Sequence, residues 1–228
     1  MKVRLPDRLR GALFNLLYAL PLIPFFIGFG IVEHTLPNVA DTFLCSTAAD
    51  AFVPFVPFTV VFYYLWYPSL TFVGFYLLFT DLPAYKRYVF ILVSSFYTAL
   101  LLYIVLPSGL RLRPEVVAGK DIFSAMVRGM YAIDTPTNVF PSGHVVCQLA
   151  ALFAVFDSKG LKKWWIRLLA VLISAGVILS TLFIRQHSIL DVLAGFIVSF
   201  ALWLAVYGQG QRQERKKPPA DKTAACQN

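Results

Sequence analysis

Residues 87–106 read RYVFILVSSFYTALLLYIVL, with Arg87 the only charge. Twenty residues of helix rise about 30 Å, the thickness of a bilayer's hydrocarbon core. In lipid every backbone N–H and C=O needs an internal partner, so such a run folds as a helix. Six apolar runs can be marked, at 11–32, 55–79, 87–106, 142–157, 164–184 and 188–207. They predict an all-α fold: a polytopic membrane protein with six transmembrane helices, one domain over residues 1–207. Composition agrees. The chain is 58% hydrophobic and 14% charged, where soluble domains run at about 45–50% and about 25%. Pro68 should kink the second run without ending it. The fourth run is short for a crossing, as if it began inside the bilayer. The start, MKVRLPDRLR, is basic like that of a signal peptide. The run after it is too long for one and lacks a small-x-small cleavage site, so it reads as a retained first helix.

Lys and Arg placement sets the expected orientation. The N-terminal arm, the loops around Lys86 and around Lys159 to Arg167, and the C-terminal tail carry 15 of the 20 basic residues. In a six-span chain these all fall on one side, so both termini are expected in the cytoplasm. The polar segment 208–228 is expected to be a disordered cytoplasmic tail. Five basic residues fall on the other side: Arg111, Arg113, Lys120, Arg128 and Arg185. The net charge of +8 would suggest nucleic acid in a soluble protein. Here it is topological, and no nucleic-acid partner is expected. Cys45, Cys147 and Cys226 show neither a disulfide framework nor zinc-site spacing.

The chain has three histidines. His34 lies in the first outer loop with no partner in sequence and reads as a surface residue. His144 ends PSGH at the head of the fourth run. His187 lies in STLFIRQHSILDVLAG at the head of the sixth. Six spans bring both, with Arg111 and Arg113 of LPSGLRLRPE, to the extracytoplasmic face. Asp191 lies one helical turn beyond His187 and can reach back to it. A carboxylate on one imidazole nitrogen makes the other a better nucleophile. His144 is then placed to protonate a leaving alkoxide. Arg113 and Arg185 suit the oxygens of a phosphoryl group. Ser142 and the amides of Ser142, Gly143 and His144 suit an anion at a helix start. The carboxylates that usually hold magnesium are not clustered, so neither metal nor other cofactor is expected. Ionisable groups at membrane depth point to function.

These residues resemble the type 2 phosphatidic acid phosphatase superfamily, which includes lipid phosphate phosphatases and soluble vanadium haloperoxidases. Its signature is Lys-x6-Arg-Pro, Pro-Ser-Gly-His and Ser-Arg-x5-His-x3-Asp. The chain keeps Arg113 and Pro114, then Pro141 to His144 intact, then His187 and Asp191. Leu106 stands where the family has Lys, and Arg111 or Lys120 is a candidate substitute. Thr181 stands where the family has Arg, and Arg185 is expected to replace it. FIRQHSILDV is similar to the third stretch of sphingomyelin-synthase-like and inositol-phosphoceramide-synthase-like members, which transfer a phospho-headgroup to an alcohol.

The resemblance implies a metal-independent lipid phosphate phosphatase working through a phosphohistidine. His187 and His144 act with Asp191, while Arg113, Arg185, Ser142, Gly143 and Arg111 bind phosphate. Its partners are a lipid phosphate substrate and membrane lipids. A phosphotransferase with an alcohol acceptor is the alternative. An anion transporter is disfavoured, since few polar residues lie on the cytoplasmic halves of the spans. Short loops and the lack of a glycosylation-type outer domain point to a bacterial plasma membrane, with the site facing outward. AFVPFVPF, 51–58, is expected to bend at the interface as an aromatic anchor, with a lipid access slot as the second reading.

Overall fold

The structure, a computed structural model, describes residues 7–35 and 42–216. Among them are eight α-helices: α1 Asp7–Leu16, α2 Leu22–Thr35, α3 Val60–Thr80, α4 Leu82–Val105, α5 Ile122–Ile133, α6 Gly143–Asp157, α7 Trp164–Phe183 and α8 Ile189–Lys216. Five stretches are helical, long and apolar enough to cross a membrane: Gly11–Thr35, Pro57–Thr80, Leu82–Val105, Trp164–Phe183 and Ile189–Gly208. The first joins α1 and α2 through a 3-10 turn, Leu17–Ala19. Pro68 sits inside α3, which continues past it. The segment expected to form the fourth span is α6, of 15 residues. At ~1.5 Å per residue it is several ångströms short of a ~30 Å core.

Helix α6 is the centre of the bundle. It packs against α3, α4, α7 and α8, and every residue from Val145 to Ala151 is buried, as are Ala154 and Val155. A helix walled by protein does not have to span lipid on its own. Small residues let the neighbours come close. At Gly195 of α8, an added Cβ would stand 2.8 Å from Val145 Cβ, so this crossing requires glycine. Buried polar groups pair in the same layer: Ser69 donates to Gln148 Oε1 (2.9 Å) and Gln148 Nε2 to Ser174 Oγ (3.0 Å).

One end of the bundle carries the longer connections. Strands β1 (Phe43–Leu44) and β2 (Ser108–Gly109) pair in parallel, Phe43 opposite Ser108. Ser108 Oγ accepts from the amides of Val139 and Phe140, which ties the segment after α4 to the one entering α6. The short apolar helix α5, which the six-run reading did not contain, is capped by Asp121. It seals this end by packing Val127 and Met130 on Val60, Tyr63 and Ile184. At the other end, Arg87 pairs with Asp157 at 2.7 Å. Helix α8 continues to Lys216, past the boundary expected at residue 207; residues 217–228 of the expected disordered tail lie outside the described residues.

Candidate active site

Helix α7 ends after Phe183 and the chain turns sharply. Arg185 N donates to Leu182 O (3.0 Å) and Gln186 N to Thr181 O (2.9 Å), with Arg185 at φ 55°. This is the pattern of a helix closed by a left-handed residue. Glycine is usual at that position, and here it is Arg. The side chain then runs to the segment that precedes α3. Its Nη1 donates to Asp50 O (3.1 Å) and its Nη2 to Val53 O (2.5 Å). Asp50, only 1% exposed, accepts from Thr47 N and Thr47 Oγ1 on one oxygen and from Ile189 N (2.8 Å) on the other. A carboxylate from a distant loop thus caps α8, and this sets where the His187–Asp191 turn begins.

Within that turn, His187 Nδ1 lies 3.0 Å from Asp191 Oδ2. Asp191 Oδ1 accepts from Ser188 Oγ at 3.1 Å, and both Asp191 and Ser188 are fully buried. With Nδ1–H given to the carboxylate, Nε2 keeps its lone pair. His187 Nε2 is 3.1 Å from His144 Nδ1. His144 follows the α6 cap, where Ser142 Oγ accepts from Val145 N (3.4 Å) and Ser142 N donates to Asp191 O (3.0 Å). The two helix starts are therefore bonded to each other through their backbones. The rings of Tyr63 and Trp66 each sit 4.7 Å from the His144 ring. Behind Ser188 lies Cys45, Sγ to Oγ 3.6 Å; burial pushes this thiol's pKa up to about 12, so it stays protonated.

His144, Gln186 and His187 line a cavity of roughly 250 Å³, with Asp134, Asn138 and Gly143. Its other side is aromatic and apolar. Through Phe26, Trp66, Tyr67 and Phe96 it meets a second, mostly apolar groove of roughly 280 Å³. Along α4 the two are lined from Tyr103 to Tyr85, about 27 Å of helix rise.

The expected site residues separate into two groups. His144, His187, Asp191, Ser142 and Gly143 come together. Arg113 joins them from behind: it donates to Asp134 O (2.5 Å) and to Gln186 Oε1, and its guanidinium lies 4.2 Å over the Tyr131 ring. Burial lowers its pKa from the usual arginine value, against the pull of Asp134. Arg185 and Arg111 do not line the cavity. The left-handed turn aims Arg185 at carbonyl oxygens, and Arg111 is exposed. Thr181, where the family has Arg, is buried and its hydroxyl bonds Ile178 O. The amide of Ser142 is used by Asp191, which leaves those of Gly143 and His144 as the unpaired donors that open any helix. Neither Phe55 nor Phe58 lines the cavity.

Sequence reading passed over Gln186, 2% exposed, and Asp134. Asp134 is the one acidic residue between Asp121 and Asp157, and that isolation was the available signal. Its Oδ2 accepts from the Tyr63 hydroxyl. Burial raises its pKa, partly offset by Tyr63, His187 and Arg113. Among the described residues no group of three or more His, Cys, Asp or Glu side chains is arranged to hold a metal.

The structure is thus a helical bundle with five stretches long and apolar enough to cross a membrane, and with His144, His187 and Asp191 bonded in a row at two helix starts. The family model described as the PAP2 superfamily matches residues 87–215, more than half of the chain, and the protein belongs to that superfamily. No curated protein matches the sequence.

Proposed function

We propose that the protein is an integral-membrane lipid phosphate phosphatase acting through a phosphohistidine on His187, without a metal ion. The observation that carries this reading is the relay Asp191–His187–His144 at the polar end of a cavity whose other end is an apolar groove. A phosphomonoester or pyrophosphate head group fits the first and its hydrocarbon chain the second. Phosphatidate, phosphatidylglycerol phosphate and polyprenyl pyrophosphates are the candidate substrates.

In the first step the lone pair of His187 Nε2 attacks phosphorus and the bond to the leaving oxygen breaks. The incoming phosphoryl group takes the place of the His144–His187 hydrogen bond, and His144 gives its proton to the departing alcohol. Asp191 holds the Nδ1 proton and stabilises the charge that develops on the ring. The Gly143 and His144 amides and the Gln186 side-chain amide, backed by Arg113, receive the phosphoryl oxygens. In the second step His144 takes a proton from water, whose oxygen attacks phosphorus, and the Nε2–P bond breaks. Here α6 is the fourth of six crossings, both termini are cytoplasmic, and the site opens at the extracytoplasmic face of a bacterial plasma membrane. The excess of Lys and Arg at the opposite end supports that orientation.

Purified protein should release phosphate from one or more of these lipids equally well with and without chelator, and His187→Ala should abolish release. Full activity in His187→Ala overturns the mechanism.

A further inference from the structure

The cavity has an acceptor wall that the phosphoryl chemistry does not use. Asp134 Oδ2 is taken by Tyr63, while Oδ1 has no hydrogen-bond partner among the described residues. Asn138, 6% exposed, donates Nδ2 to Glu33 Oε2 at 2.6 Å, and its buried Oδ1 has no partner. Glu33 also accepts from the Thr135 hydroxyl, so both of its oxygens are occupied and it fixes which end of the Asn138 amide is free. Asn138 itself is at φ 55°, a conformation asparagine tolerates. Asp134 and Asn138 line the same cavity as His144 and His187.

A phosphoryl group offers only acceptors and an anionic charge, so two free acceptors, one of them a carboxylate, do not bind it. Their ligand brings donors. Arg113, bonded to Asp134's own carbonyl, and Tyr63 already offset the carboxylate charge, and Asn138 Oδ1 is neutral. That favours hydroxyl groups over an ammonium ion.

We propose that Asp134 and Asn138 form an alcohol subsite, which holds a small polyol beside the phosphohistidine so that the phosphoryl group passes to that alcohol as well as to water. This rests on the phosphohistidine reading above. The alcohol oxygen attacks phosphorus, the Nε2–P bond breaks with its electron pair returning to the imidazole, and the hydroxyl proton goes to His144, replacing the one delivered to the lipid alcohol.

The test uses full-length protein in nanodiscs with a ³²P-labelled lipid phosphate as donor, and glycerol or ethanol at matched concentrations. Glycerol phosphate should form with a saturable dependence on glycerol and exceed ethyl phosphate about tenfold at equal concentration, the size of one or two hydrogen bonds. Asp134→Asn, whose amide oxygen still accepts from Tyr63, and Asn138→Gly, which keeps the positive φ, should each lower the ester-to-phosphate ratio several-fold. A ratio that is linear in glycerol and no better than ethanol, or unchanged in Asp134→Asn, overturns the subsite. So does an amino alcohol outcompeting glycerol. Phosphate release without saturable ester defeats the subsite alone. No release and no labelled His187 with any donor defeats the phosphohistidine reading and the subsite with it.

Discussion

His144 Nδ1 stands 3.1 Å from His187 Nε2, and the other nitrogen of His187 is held by Asp191 at 3.0 Å. The proposed proton shuttle and the proposed nucleophile are therefore neighbours across the bond that an incoming phosphoryl group would have to open. Their roles separate by trapping. His187→Ala should give no acid-labile ³²P-protein. His144→Ala should still become labelled by a substrate with a good leaving group, and then lose the label at least about a hundredfold more slowly, since general acid–base help contributes about 10²–10⁴. Labelling of His187→Ala at wild-type levels would reverse the assignment.

Arg185 and Gln186 are adjacent, but only Gln186 faces the cavity. Arg185→Ala removes two charge-assisted bonds to Asp50 and Val53. Its main effect should be on stability, about 2 kcal/mol, read as a lower unfolding temperature in detergent. Gln186→Ala should instead lower kcat/KM about tenfold or more, with unfolding shifted less. The opposite pattern would return the phosphate-binding role to Arg185.

Gly195→Ala places a methyl 2.8 Å from Val145 Cβ and 3.3 Å from Ser142 O. Overpacking of this kind costs about 1–3 kcal/mol. Here it also separates the two helix starts that carry the histidines. Thermal unfolding and kcat should fall together. At Gly143 an added Cβ would meet only Tyr103 Oη, at 3.5 Å. Gly143→Ala should leave unfolding nearly unchanged while raising KM, because the cost falls on the approaching head group.

The orientation proposed from charge placement is checked by reporter fusions. A cytoplasmic reporter should be active when joined after residue 160, between α6 and α7, and inactive after residue 118, between α4 and α5. The reverse pattern would turn the molecule over and put the site in the cytoplasm.

Much was legible along the chain. The bilayer-length apolar runs dictate the helices, because lipid leaves a backbone no other satisfied conformation. All six runs are helical in the structure, although α6 is shorter than a bilayer core. PSGH and HSILD mark the two helix starts, and the spacing of His187 and Asp191 alone implies their bond, since residues four apart share a helix face. Helix α5 was missed because its twelve residues are too few for a membrane signal. Arg185 was assigned by nearness in sequence to His187. Only the left-handed turn after α7 sends its guanidinium to the 50–53 carbonyls.

The sequence by itself determined the membrane helices and the identity of the Asp191–His187 pair, because both depend on local periodicity and solvent. The tertiary structure decided which groups share the cavity with His187: His144 from α6, Asp134 and Asn138 from the loop before it, and Gln186 in place of its neighbour. Those meetings depend on a glycine-tight crossing of α6 and α8 and on a carboxylate from residue 50 capping a helix that begins at residue 189. Contacts between such distant residues are set by packing, which no local pattern along the chain encodes.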